Sequence, residues 1–246
     1  MENKSDIQDI RIAGAGNISA GEYGNVKIAG AGEVLGTIKA ENVSVSGTGE
    51  FHGDINSKLV KASGTLECYG SMNVEGLLKV NGSGEIKENL KGKEIVVNGS
   101  CEVGGNVSFE KMISRGGCEI KGDCEGEEFS SLGYISIDGL LAADKISIIP
   151  EGNSYIKEIG GEEITIKAEK KTKIMFFKIS IGSDGVLNCD TIEGDKIYLE
   201  NTQCKIVRGG DITIGKGCKI EKVEYTGEIN ITDKKSTVGE KVCMKI

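Results

Sequence analysis

Apolar and polar residues alternate along short stretches of this chain, and the alternation returns in the same frame about every 17 residues from Ile10 to roughly Glu163. In frame, the copies read VKIAGAGEVLGTIKAEN from Val26, VSVSGTGEFHGDINSKL from Val43 and VKASGTLECYGSMNVEGL from Val60, with later copies starting at Leu78, Ile95, Met112, Phe129 and Ile146. Counting Val26 as the first position, the first and third positions are apolar (Val26 and Ile28, Val43 and Val45, Ile95 and Val97). So are the ninth (Val34, Phe51, Cys68, Ile86, Val103) and the thirteenth (Ile38, Ile55, Met72, Leu90, Val107). Odd positions point inward and even ones outward, which is the period of a β-strand. A fixed repeat of this length means stacked units, each burying its apolar face against the next.

Glycine recurs at the fifth position (Gly30, Gly47, Gly64, Gly82, Gly99, Gly116, Gly133) and commonly at the eleventh (Gly36, Gly53, Gly70, Gly105, Gly122, Gly139). Its tolerance of unusual backbone angles suits corners. Three short strands and three corners per repeat predict an all-β fold, a parallel β-helix (solenoid) of triangular cross-section with about 17 residues per rung and about 13 rungs. Residues 1–9 read as an N-terminal arm and 10–166 as the regular array. KKTKIMFF breaks the pattern, so 167–185 reads as an irregular insertion or hinge. Less regular rungs follow over 186–246, with the register resuming at Ile197.

Composition narrows the function. The net charge is −8, and no basic stripe carries aromatic residues, so the footprint of a nucleic-acid binder is missing. No run of 18 apolar residues suggests a membrane helix, and the start, MENKSDIQDIRIAG, lacks an apolar signal core; the expected compartment is the cytoplasm. Eight cysteines lack metal-ligand spacing, and several fall at apolar repeat positions, where a reduced thiol acts as a small hydrophobe. Cys101 and Cys118 share one position in successive copies and are the pair most exposed to oxidation on this reading.

The most specific polar feature is the eighth position, which holds Glu33, Glu50, Glu67, Glu85, Glu102 and Glu119. Stacked, they form a carboxylate ladder, read as a solvated face relieved by Lys27, Lys61, Lys79, Lys87 and Lys121 or as a site for cations or a basic partner. Ser46, Ser63, Asn81 and Asn98 at the fourth position, with Thr48, Thr65, Ser83 and Ser100 at the sixth, form outward ladders that satisfy one another. The single histidine, His52, has no nucleophile motif beside it, and the glycine motifs precede no helix. No catalytic residue, metal ligand, cofactor or nucleotide site is expected, and the chain does not read as an enzyme. Met175, Phe176 and Phe177, between Lys173 and Lys178, form a candidate loop for a membrane or partner.

The segments IAGAGEVLGTI, VSGTGEFHGDI and VNGSCEVGGNV resemble those of the bactofilins, polymer-forming cytoskeletal proteins of bacteria. The resemblance covers residues 10–163 strongly and implies a right-handed β-helix that assembles end to end without nucleotide, as a scaffold near the membrane. The expected partner is the chain itself, with a membrane surface or cell-envelope proteins as further candidates. Candidate self-association residues are Ile10, Ile12 and Ile18 at one end and Val242, Met244 and Ile246 at the other, because an open rung exposes unpaired backbone and an apolar cross-section. The alternative is a β-helical binding module that uses a ladder face for a glycan, cation or protein.

Overall fold

A computed structural model describes residues 7–168 and 185–244. The chain is a parallel β-solenoid of about 13 turns with roughly 17 residues per turn. It divides into two compact units, Met1–Gly122 and Asp123–Ile246.

In the first unit each turn carries one longer strand, such as Ile38–Val45, and one short strand, such as Thr48–Phe51. The longer strand bends midway. Ala40 pairs with Ser57 and Asn42 with Leu59, while Glu41 between them is skipped by the ladder. Three paired segments therefore surround the core, as the three-strand reading predicts. Val26, Val43, Val60, Leu78, Ile95 and Met112 lie in one register, each pair on adjacent parallel strands. All six are buried, with Phe51, Ile38, Ile55 and Leu90 among the residues that complete the core. Full burial of one such aliphatic side chain stabilises by about 1.5–3 kcal/mol. Where one turn is a residue longer, the excess sits at the bend: Ser57 pairs with Val74 but Leu59 with Leu77, so Glu75 and Gly76 absorb it without moving the core columns.

Gly133, at the fifth position, takes φ 147° as the sequence expectation has it, but most glycines at that position act differently. Gly47, Gly64, Gly82, Gly99 and Gly116 do not adopt positive φ. A Cβ on Gly64 would instead lie 2.0 Å from the carbonyl oxygen of Gly47, one turn back, and the other four repeat this approach at 2.0–2.1 Å. Close stacking of equivalent corners, not backbone freedom, excludes a side chain there. At the other corner Gly36 does take φ 149°. Gly70, Gly105 and Gly122 yield to side chains instead: Oδ1 of Asp54, Asn89 and Asn106 occupies the space a Cβ would need. Those oxygens also cap the next turn, since Ser71 N–H donates to Asp54 (2.9 Å) and Asn106 N–H to Asn89 (2.9 Å).

The second unit uses longer, more continuous strands, including Ile135–Pro150, Asn153–Ile166, Val186–Leu199 and Thr202–Ile214. Phe129, Ile146, Ile164, Ile197, Ile212 and Ile229 stand in register. Asn153–Ile166 pairs directly with Val186–Leu199, with Asn153 already opposite Val186. The register is thus restored at Val186, ahead of the Ile197 suggested by the pattern, because Leu187 and Cys189 already fill inward positions. After Val223 no residue of this unit is fully buried among those described.

Replacing Gly64 by alanine should destabilise the protein by about 1–3 kcal/mol or more, because a carbonyl rather than a yielding side chain blocks the methyl. Gly117→Ala, with nothing within 4 Å of the added carbon, should be neutral or slightly stabilising. Urea unfolding midpoints of the two variants distinguish close approach from backbone freedom as the reason for glycine.

Candidate functional site

The first unit begins with strands Ile10–Ile12 and Ala15–Ile18, which pair with Gly21–Ile28 and Ala31–Val34 respectively. Among the described residues neither has a strand on its other side. Such an edge leaves alternate backbone donors and acceptors without a partner strand. Ile12 is buried beneath this turn, Ile10 and Ile18 are half-buried, and Ile7 is exposed. The turn is nonetheless held in place. The Asp9 carboxylate accepts from Asn25 N–H at 2.8 Å and from Asn25 Nδ2 at 3.0 Å, and Tyr23 donates its hydroxyl to Ser19 O at 2.8 Å.

The last turn of the second unit mirrors this condition. Ile229–Ile231 pairs with Thr202–Ile214, and Thr237–Cys243 with Lys219–Tyr225, each on one side only among the described residues. Val242 is half-buried and Met244 exposed; Ile246 lies outside the described residues. Ile229, Ile231 and Val238, which the sequence reading did not single out, are half-buried in the same turn. Ile229 and Ile231 alternate with polar residues in the sequence, a strand signal that does not by itself mark an end surface.

The glutamates at the eighth position form the expected ladder in the first unit. Glu33, Glu50, Glu67, Glu85, Glu102 and Glu119 pair in direct register. Two full charges about 5 Å apart in water repel by roughly 0.8 kcal/mol, less with salt. Relief comes from the tenth position, next outward on the same side. His52 Nε2 lies 3.0 Å from Glu33, Lys87 contacts Glu85 and comes within 3.9 Å of Glu67, and Lys121 is 3.8 Å from Glu119. A hydrogen bond to Glu67 raises the Tyr69 hydroxyl pKa, and the Tyr69 ring stacks on His52 with centroids 5.0 Å apart. Lys27, Lys61 and Lys79 were expected to serve here but stand elsewhere. They share a register with Ser44 on the segment that carries Val26 and its equivalents, across a corner from the glutamates. Leu35 and Tyr69 leave an exposed apolar edge along the ladder.

Part of the polar ladders satisfies itself, as the spacing suggested, whereas Ser46 donates to the backbone carbonyl of Ile28. Asn98 Nδ2 donates to Asn81 Oδ1 at 2.8 Å, Arg115 to Asn98 Oδ1 at 3.2 Å, and Ser100 to Ser83 at 3.3 Å. Met175, Phe176 and Phe177 lie outside the described residues.

The thiols are more than small hydrophobes. Cys68 Sγ donates to the carbonyls of Gly53 and Gly70, both at 3.4 Å, and Cys218 Sγ to Leu199 O at 3.4 Å. Burial pushes the Cys68 thiol up to about 11 and Cys101 up to about 12. Both are therefore protonated near neutrality, a poor state for a nucleophile.

A second charged array alternates in sign. In the second unit Arg208 lies between Glu193 (2.9 Å) and Glu224 (2.7 Å), its register neighbours, and Lys222 adds a contact to Glu224 at 2.8 Å. Hydrogen bonds from Lys222 and Arg208 hold the Glu224 carboxyl below its ordinary value.

Two proteins of Bacillus subtilis (strain 168) are similar to parts of this chain. YhbE is 41% identical over 93 residues, 37% of this chain and 38% of YhbE. YhbF is 41% identical over 88 residues, 35% of this chain and 34% of YhbF. Both are described as uncharacterized, and the chain spans well under half of either. No family model matches the chain. No solved structure matches it either.

The depressed Glu224 pKa sets a sign for acid sensitivity. A carboxyl with a folded pKa below its unfolded value of 4.5 contributes stability that is fully present above 4.5 and lost as pH falls through the folded value. Glu224→Gln should therefore be less stable than the native chain at pH 7, and the difference should vanish in thermal unfolding at pH values well below 4.5.

Proposed function

We propose that this chain is a non-enzymatic scaffold protein of the bactofilin kind, which assembles end to end through its open turns without nucleotide. The observation that carries the reading is the state of the two end turns. Each has strands paired on one side only among the described residues, and each leaves aliphatic side chains half-covered: Ile10 and Ile18 in one, Val242 and Ile229 in the other. A second copy that adds a turn completes the backbone ladder and removes that apolar area from water together. Coupling hydrogen bonds to hydrophobic burial is what makes strand addition favourable. The net charge of −8 opposes contact between copies, so salt should promote assembly. The cytoplasm and the inner face of a membrane remain the expected setting.

Electron microscopy and sedimentation of the full chain test the proposal. Native protein should form filaments or long oligomers that grow with concentration and salt. Ile18→Asp and Val242→Asp should each shift the distribution toward small species while circular dichroism stays unchanged. A native chain that remains a monodisperse monomer across wide ranges of concentration and salt overturns it.

A second reading, a binding module, is supported by the exposed Leu35 and Tyr69 beside the glutamate ladder. It predicts that Glu50→Gln together with Glu85→Gln abolishes capture of a basic partner and leaves assembly intact. Titration of a lysine-rich peptide followed by fluorescence anisotropy measures this; unchanged binding removes the ladder from consideration.

A further inference from the structure

The second unit holds a pair of thiols that the assembly reading does not use. Cys189 and Cys204 are direct register partners on adjacent parallel strands. Equivalent Cα atoms on such strands lie about 4.8 Å apart, inside the roughly 4.4–6.8 Å span that a disulfide bridges. As register partners on adjacent parallel strands, their side chains point to the same side of the sheet. Backbone carbonyls steady both: Cys204 Sγ donates to Ile206 O at 3.1 Å, and Cys189 Sγ to Gln203 O at 3.8 Å.

A neighbouring groove, rather than exposure itself, separates this pair from the one that the sequence favoured, since all four thiols are buried. Cys101 and Cys118 are also register partners, but they sit in the core of the first unit. Cys189 and Cys204 form part of the floor of a groove of about 450 Å³, flanked by Tyr155, Lys205 and Glu221. A small oxidant can enter this groove, which brings it beside thiols that are themselves buried.

We propose that Cys189 and Cys204 form a reversible disulfide when the protein meets hydrogen peroxide. One thiol loses its proton and attacks a peroxide oxygen, breaking the O–O bond to give a sulfenic acid and water. The second sulfur, losing its proton in turn, displaces hydroxide from the sulfenic sulfur, forming the S–S bond and a second water. Two thiols are oxidised by two electrons and one peroxide is reduced. The neighbouring thiol and burial raise the Cys189 pKa, which slows formation of the attacking thiolate. Once formed, it closes one whole turn of the solenoid into a covalent ring. It pins Val186–Leu199 to Thr202–Ile214 and restricts the unfolded chain.

The experiment uses the full chain carrying Cys243→Ser, which removes the exposed thiol. After peroxide treatment and alkylation, tryptic cleavage at Lys196 places Cys189 and Cys204 on separate peptides. The expected result is a linked Cys189–Cys204 peptide, cleaved by dithiothreitol and exceeding any Cys101–Cys118 link by on the order of tenfold, since access limits the core pair. The oxidised chain should also melt at a higher temperature than the reduced one. Cys204→Ser and Cys204→Val should both abolish the linked peptide and the melting shift; two replacements guard against one failing to fold. Recovery of both cysteines as separately alkylated or singly oxidised peptides, or a dominant Cys101–Cys118 link, overturns the proposal.

Discussion

Backbone hydrogen bonding between equivalent residues of successive turns is the constraint on which everything else rests. Parallel strands fix the separation of equivalent residues at about 4.8 Å, so every column of the solenoid is a stack of like upon like. For aliphatic residues this is favourable, and the Val26 and Ile38 columns build a core that is mostly aliphatic, with Phe51 and Phe129 among its few aromatics. For polar residues it demands self-complementary chemistry, which Asn81 and Asn98 supply by joining amide to carbonyl. At the tightest corner it forbids side chains, because each glycine faces the carbonyl of the one before.

Charge is where like-upon-like is least comfortable, and the chain uses two solutions. At the bend of the longer strands, charges of opposite sign meet along the stack: Lys58 contacts Glu41 at 2.7 Å, and Lys93 contacts Glu110 at 3.2 Å. Arg208 plays the same part between Glu193 and Glu224. The glutamate column instead keeps one sign and borrows cations from a neighbouring column. Exposed pairs of this kind contribute little each, roughly 0–1 kcal/mol, so their main effect is to make a crowded face tolerable. The same backbone ladder gives the end turns their character. A turn with neighbours on both sides satisfies its donors and acceptors, whereas a terminal turn keeps half of them for another chain or for water.

Much of this was legible in the sequence, because period and alternation report directly on stacking and on which side of a strand faces inward. The inward columns from Val26 to Met112, the glutamate register and the mutual satisfaction of the asparagine ladder follow from counting alone. Short polar residues stand at the twelfth position, Thr37, Asp54, Ser71, Asn89 and Asn106, but the sequence does not show their role, which depends on geometry. Only when Asp54 Oδ1 is seen beside Ser71 N–H does the preceding glycine become necessary. Lys87 and Lys121 relieve the glutamate ladder as expected, but Lys27, Lys61 and Lys79 do not, because spacing along the chain does not say which columns share a side once the path has turned a corner.

What the sequence determined by itself is the column: which residue stacks on which, and whether a column is apolar, polar or charged. That information is one-dimensional and repeats, so it survives without coordinates. Contact between different columns was decided only by the tertiary structure. The bend at Glu41, the reach of His52 and Lys87 to the glutamates, and the groove that borders Cys189 and Cys204 all depend on backbone and side-chain atoms meeting in three dimensions.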